Sequence, residues 1–197
     1  MTGNLLFFDS ETTGLVPGQD EILEVAMIVT SPDLETEYCE ESWIIKPADV
    51  EATLGKMNDF VWKMHEENGL IAEILQGKGS PLKTVEEELY LKARTFNCVE
   101  AVFNGQPYKS PLCGNSISFD RGFLKAYMPS FEGKLHYRNI DVSSVRELCE
   151  RWFKPEPKPL EVHRALPDAK RSISLLKSLR ARYFSPYNRK IQGPAAQ

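Results

Sequence analysis

The run Leu5-Leu6-Phe7-Phe8-Asp9-Ser10-Glu11-Thr12-Thr13-Gly14-Leu15 constrains this chain more than any other stretch. Its apolar start reads as a buried strand. Asp9 and Glu11 follow at i and i+2, a spacing that points both carboxylates to one face of an extended backbone. Two anions side by side repel unless positive charge lies between them, and a divalent cation held by oxygen ligands is the usual answer. An ordinary polar strand end is the alternative. Thr12, Thr13 and Gly14 end the strand, with Gly14 permitting a tight turn.

A chain of 197 residues suits a single domain with a core large enough to need no staples. Its net charge of −4 excludes a global basic field for long nucleic acid. A short or locally held strand stays compatible with a local site and metal ions. Cys39, Cys98, Cys113 and Cys149 show neither CxxC nor zinc spacing, which reads as a reduced, cytoplasmic protein. Met1 to Asn4 is short and lacks basic residues, so no signal peptide is expected, and no apolar run approaches a membrane span.

Turn signals divide the rest of the chain. Ile22 to Thr30 and Glu37 to Lys46 read as second and third strands of a meander, the third at or near an edge. Met57, Phe60, Val61, Met64 and His65 fall at helical spacing, as do Leu70, Ile71, Ile74 and Leu75. Ser80-Pro81 reads as a helix start, with Ser80 as cap and Pro81 at the first position, and the helix runs to about Phe96. Asn97 to Ser110 has no period and reads as a loop or a poorly formed helix end. Pro111 to Gly114 is a short strand, and Ser116 caps a helix through Met128. Tyr137 to Asp141 is a strand, and Asp141 or Ser143 caps a helix through Trp152. Lys154 to Pro159 is an extended linker. A last helix runs from about Pro167 to Tyr183. The domain therefore spans 1–184, with a polar tail over 185–197. Strands followed by interleaved helices and strands give an α/β fold, a mixed sheet covered by helices.

Three later features join Asp9 and Glu11. Asp120 and Asp168 each lie in the first turn of a helix, where the helix dipole alone gives an acid a place. His163 precedes the last helix, and its offset of five from Asp168 is wrong for one helical face, although a loop can fold back over a helix start. Four acids from three segments with one loop histidine fit metal-assisted phosphoryl transfer. Two cations about 4 Å apart activate water and stabilise the leaving oxygen. An imidazole titrates near neutral pH and suits the removal of the water's proton.

Asp9-Ser-Glu11, Asp120 and His163-(four residues)-Asp168 resemble the three motifs of the DEDDh (DnaQ-like) 3′→5′ exonucleases. The chain is more similar still to the oligoribonucleases within that family. The similarity is carried by Met57-Asn-Asp-Phe60 with His65, Pro111-Leu-Cys-Gly-Asn-Ser-Ile117, Asp120-Arg, Phe123-Leu124, Tyr127-Met-Pro129, His136-Tyr-Arg138 and Asp141-Val-Ser143. It covers about residues 4 to 183.

The resemblance implies an RNase H-like fold, a mixed five-stranded sheet flanked by helices, and two divalent cations, Mg²⁺ or Mn²⁺. Asp9, Glu11, Asp120 and Asp168 would hold the metals, with Asp9 shared. His163 would be the general base, and the product a nucleoside 5′-monophosphate. The substrate would be short single-stranded RNA. Leu15 would wedge between the last two bases, and His65 and Ser116 would contact the substrate. Tyr137 and Arg138 would do so from a partner subunit, which implies a homodimer. Phe60 is a candidate base-stacking platform, with a core position as its alternative.

The sequence departs from the oligoribonuclease pattern at Thr12, where a Met is usual, and at Phe119 and Gly122 beside Asp120. The stretch from 97 to 109 is longer. Thr-Thr-Gly is common in DNA-acting relatives, so a 3′→5′ exonuclease on single-stranded DNA is the second reading. A catalytically inactive nucleic-acid-binding relative is the reading from another class, and the five competent catalytic positions argue against it.

Overall fold

The computed structural model of the protein describes residues 3–153 and 162–184. The Lys154–Pro159 linker and the 185–197 tail lie outside the described residues.

The apolar opening run forms β1 (Leu5–Thr12), and the wholly buried Ile22–Thr30 forms β2. β3 (Glu37–Ile44) carries Glu37, Glu40 and Glu41. Short strands β6 (Leu112–Gly114) and β7 (Asn139–Asp141) complete a sheet of order β3-β2-β1-β6-β7. β3, β2 and β1 are antiparallel neighbours, while β1, β6 and β7 run parallel. The five-stranded mixed sheet expected from the sequence is thus present, with β3 at an edge. That edge is charged, which blunts pairing with another chain.

Alternation along β1 separates two cores. Leu6 and Phe8 pack with Val25, Met27 and Val29 of β2 against α4 (Leu82–Thr95), α5 (Ser118–Tyr127) and α6 (Pro129–Glu132). Phe7 packs with Ala26, Ile28 and Cys113 against α7 (Val142–Trp152) and α8 (Ala165–Leu179). A third cluster joins Leu23 of β2 to α1 (Val50–Leu54) and α3 (Leu70–Leu75). Between α1 and α3 lies α2 (Asp59–Glu67), capped by Asn58. A single π-helical turn, Arg180–Phe184, follows α8. Among the described residues no helix is long and apolar enough to cross a membrane.

Several boundaries differ from the sequence expectation. The 97–110 stretch contains a β-hairpin, β4 (Ala101–Phe103) and β5 (Gln106–Tyr108), instead of a loop. Asn104 and Gly105 both have positive φ, the turn geometry that matches strand twist. Strands of three residues are too short to show a period. Tertiary contact holds them: the Phe103 and Tyr108 rings meet edge to face at 5.0 Å, and the Tyr108 hydroxyl donates to the Asn4 carbonyl at 2.7 Å.

Ser80 does not cap α4. Its N–H donates to the Ile44 carbonyl and its own carbonyl accepts from Lys46, so the backbone is spent on β3's extension and Pro81 occupies the cap position. Ser116 does not cap α5 either, because it turns with φ +52° two residues before the helix begins at Ser118. The short helix α1, capped by Asp49, was not expected. α8 begins at Ala165, two residues ahead of Pro167, which is tolerated in the first turn because its missing N–H would be unpaired there.

Phe8 is fully buried between the sheet and α5. We expect Phe8→Ala to lower the unfolding free energy by about 3–5 kcal/mol. Val102→Ala on the exposed hairpin should change it by less than about 0.5 kcal/mol. Urea denaturation followed by circular dichroism checks both.

Candidate metal centre and active site

The site forms where β1 leaves the sheet. Asp9 and Glu11 continue the Phe7 face toward α8, which supplies Asp168 in its first turn. One carboxylate oxygen from each of Asp9, Glu11 and Asp168 lies within 4.8 Å of the other two. Asp120 arrives from α5 on the opposite face. The Ser10 backbone N–H donates to Asp120 Oδ1 at 2.9 Å, and the Ser10 hydroxyl donates to the same oxygen at 2.6 Å. Ser10, between the two acids, is therefore the tie that draws Asp120 to the end of β1. Gly114 on β6 lets this happen, since a Cβ there would lie 2.7 Å from the Phe8 carbonyl oxygen.

Crowding shows in the acidities. Burial first, then the charges of Asp120, Glu11 and Asp168, hold the Asp9 carboxyl well above its ordinary range. Burial and the Asp168 charge push Glu11 up to about 8. Burial pushes Asp120 up to about 7, against the lowering effect of the Ser10 hydrogen bonds. Without a cation these groups hold protons near neutral pH. A donor set made of carboxylate oxygens fits a hard divalent cation, whose charge removes the repulsion.

His163 sits in the loop entering α8 with φ +54°. Its N–H donates to Asp168 Oδ2 at 3.0 Å, and the Val162 N–H donates to Oδ1 at 3.4 Å. The loop thus folds back over the helix start, which reconciles the offset of five with proximity. The next residue anchors this corner. Arg164 donates to both oxygens of Glu24, at 3.0 and 2.7 Å, and to Glu73 at 2.9 Å. Glu24 also accepts the Ala165 N–H at 3.0 Å. A buried carboxylate is tolerable because it is paired and fully hydrogen-bonded. Asn68 donates its side-chain amide to the His163 carbonyl.

Nothing in the sequence marks Glu73, Asn68 or Ser10 for these roles, and Glu24 is marked only weakly. The available signal was a lone acid inside the apolar run Ile22–Thr30. It faces Glu11 across the sheet, where an unpaired charge would be costly.

The candidate substrate contacts fall in different places. Leu15 is 78% exposed on the turn after β1. That turn is tied by Asp20, whose carboxylate accepts the Val16 N–H at 2.8 Å and the Thr13 hydroxyl at 3.3 Å. A Cβ on Gly14 would lie 2.5 Å from the same carboxylate. The wedge candidate is therefore held out in solvent and does not pack the turn. Phe60, 74% exposed on α2, is not a core residue. With Lys63, Met64, Glu67, Asn68, Val162 and His163 it lines a cavity of about 550 Å³.

His65 differs from expectation, because its side chain is fully buried. Its Nε2 lies 3.1 Å from the Thr12 carbonyl and 4.0 Å from Glu11 Oε2, and burial lowers its pKa. It supports the end of β1 from beneath and presents no surface to a ligand. Ser116 stands at the C-terminal end of β6, its hydroxyl 2.9 Å from that of Ser143 and its N–H donating to Ser143 at 2.6 Å. Tyr137 and Arg138 are exposed and lie before β7, whose first residue Asn139 is level with Leu112 and so with Leu6. Asp9 lies three residues further along β1, roughly 10 Å along the strand direction. These two residues therefore stand toward the end of the sheet opposite the acids.

An exonuclease (RNase_T) family model matches residues 6–176. The chain is 38% identical over 186 residues to an oligoribonuclease of Burkholderia lata, covering 93% of this chain and 85% of the relative. It is 40% identical over 185 residues to an oligoribonuclease of Shewanella loihica, covering 92% and 96%. Among solved structures, E. coli exonuclease I in complex with a dT13 oligonucleotide superposes with a TM-score of 0.69 at 17% identity over 96% of this chain. The chain spans 44% of that structure's length, and the likeness is one of fold.

The raised carboxyls fix a pH dependence. A native state that keeps these protons longer than the unfolded chain gains a contribution that is fully present below the ordinary carboxylate range. That contribution is lost as pH rises through about 7 for Asp120 and about 8 for Glu11. In the presence of EDTA, the Tm should therefore fall between pH 5 and pH 8. Mn²⁺ or Mg²⁺ should raise the Tm more at pH 8 than at pH 6. Differential scanning calorimetry reads both, and a cation shift independent of pH would contradict the assignment.

Proposed function

We infer the function of this site from the premise that the chain belongs to the exonuclease (RNase_T) family: it is a metal-dependent 3′→5′ exoribonuclease. The observation that carries the reading is the convergence of Asp9, Glu11 and Asp168, with Asp120 tied in through Ser10.

Asp9, Glu11, Asp120 and Asp168 would hold two divalent cations, Mg²⁺ or Mn²⁺, which would supply charge neutralisation at the scissile phosphodiester and a lowered pKa for the attacking water. The side chain of His163 accepts that water's proton. The water oxygen bonds to phosphorus as the bond from phosphorus to the penultimate residue's 3′ oxygen breaks in line; that oxygen takes up a proton to become a 3′-hydroxyl, and a nucleoside 5′-monophosphate is released. Asp168 serves twice, because it also fixes the backbone N–H of His163 and so sets where the base stands. Arg164, Glu24 and Glu73 keep that corner from opening.

The substrate in this reading is a short single-stranded RNA. Leu15, exposed and rigidly mounted, wedges between the last two bases. Phe60 offers an apolar platform beside His163, and Ser116 offers a hydroxyl at the rim. His65 acts through β1 instead of by touching substrate. Tyr137 and Arg138 act on the site of a second copy, making the working unit a homodimer. Their position toward the far end of the sheet supports a contribution in trans.

With Mn²⁺ and 5′-labelled RNA of two, five and about twenty nucleotides, the two- and five-mers should disappear fastest, ahead of DNA of equal length. Equal degradation of long DNA would overturn the short-RNA reading in favour of a general single-stranded exonuclease. His163→Ala should lower kcat by about 10²–10⁴-fold while leaving the fold intact. Leu15→Ala should leave the Tm nearly unchanged, as befits an exposed side chain, while raising KM for a diribonucleotide.

A further inference from the structure

Arg121 follows Asp120 on α5 and is buried, yet its guanidinium makes almost no use of the core. Its Nε donates to Glu132 at 2.8 Å. Nη2 donates to the His136 carbonyl at 2.6 Å. Nη1 donates to the Tyr137 carbonyl at 3.1 Å and the Asn139 side-chain oxygen at 2.6 Å, with the Arg138 carbonyl at 3.4 Å. Apart from its countercharge, a buried cation is thus committed to the backbone and one side chain of a four-residue segment whose last three residues are exposed. That segment contributes little apolar burial of its own, as Tyr137 is 75% exposed.

The segment is ordered internally as well. The Arg138 N–H donates to His136 Nδ1 at 3.1 Å. The His136 and Tyr137 rings stack at 4.5 Å, and the Arg138 guanidinium lies over the Tyr137 ring at 5.3 Å. A planar fork with its donors at fixed angles reaches several carbonyls at once, which a point-charge ammonium does not.

We propose that Arg121 is the positioning residue that holds His136–Asn139 as a preorganised arm and so sets the affinity for short substrates, while its neighbour Asp120 serves the metal site of its own chain. The inference rests on the reading that Tyr137 and Arg138 touch substrate. Preorganisation lowers the ordering cost of binding, so the device acts on KM and leaves the chemical step alone. Placing the two functions on consecutive residues of one helix joins the frame of a chain's own acids to the arm it extends.

The test is steady-state cleavage of a diribonucleotide by the full chain with Mn²⁺. Arg121→Gln should raise KM about tenfold or more, the scale of losing charged hydrogen bonds, with kcat held within about twofold. Asn139→Ala, which spares the buried ion pair and removes one hydrogen bond to the guanidinium, should raise KM by about threefold with a lowered Tm but a retained fold. Arg138→Ala should raise KM as Arg121→Gln does, and combining the two should add little. If Arg138→Ala raises KM but neither Arg121→Gln nor Asn139→Ala does, the positioning role is overturned. If Arg121→Gln fails to fold, Asn139→Ala alone decides, and a wild-type KM overturns the proposal. An unchanged KM in Arg138→Ala overturns the substrate-contact reading itself, and this inference with it.

Discussion

Repulsion among buried carboxylates is the constraint on which the rest of the structure depends. Asp9, Glu11 and Asp168 are brought within 4.8 Å, and Asp120 adds the strongest neighbouring charge on Asp9. Such a cluster is unfavourable until a cation enters, so the surrounding fold must hold it by force of other contacts. The apolar body of β1, fully buried at Leu6, Phe7 and Phe8, supplies that hold from both faces of the sheet. Hydrogen bonds then aim the individual carboxylates. Ser10 fixes Asp120, the loop N–H groups of Val162 and His163 fix Asp168, and Arg164 balances Glu24 behind Glu11.

The same logic explains why the corner before α8 is so heavily tied. A loop beside the acids keeps one geometry only if the elements around it hold it. His163 adopts a positive φ that a non-glycine residue rarely takes, and contacts from three elements hold it there: Asp168 from α8, Asn68 from the end of α2, and Glu24 from β2 through Arg164. Exposed groups at both ends of the sheet are mounted with similar care. Asp20 ties the turn that presents Leu15, and Arg121 clamps the segment that presents Tyr137 and Arg138. Rigid mounting of exposed side chains is what a site needs if binding is not to spend its free energy on ordering loops.

Much of this was legible in the chain itself. Asp9 and Glu11 stood out because carboxylates at i and i+2 end an apolar strand. Asp120, His163 and Asp168 were recognisable by resemblance, in the right order and company. The apolar runs of β1 and β2 were legible because burial on both faces of the sheet imposes them. The hairpin at 101–108 was not legible, since three-residue strands carry no period and are held by Tyr108 on Asn4. Nor was the failure of Ser80 and Ser116 to cap, because their backbones answer to strands that lie far off in sequence.

The mixed α/β sheet, the acids at the end of its central strand and the histidine that accompanies them were all readable from the chain. Asp9 and Glu11 follow from residue type and local spacing, and Asp120, His163 and Asp168 from the resemblance of their motifs. Which acids share a cluster, and which is reached through Ser10, emerges from the packing. It likewise places His65 in the interior and Phe60 at the surface, and makes Glu24, Arg164 and Arg121 the framework. Such assignments depend on which elements meet across the sheet. Burial and hydrogen-bond satisfaction are settled by partners tens of residues away, as Ser10 meets Asp120 and Glu24 meets Arg164.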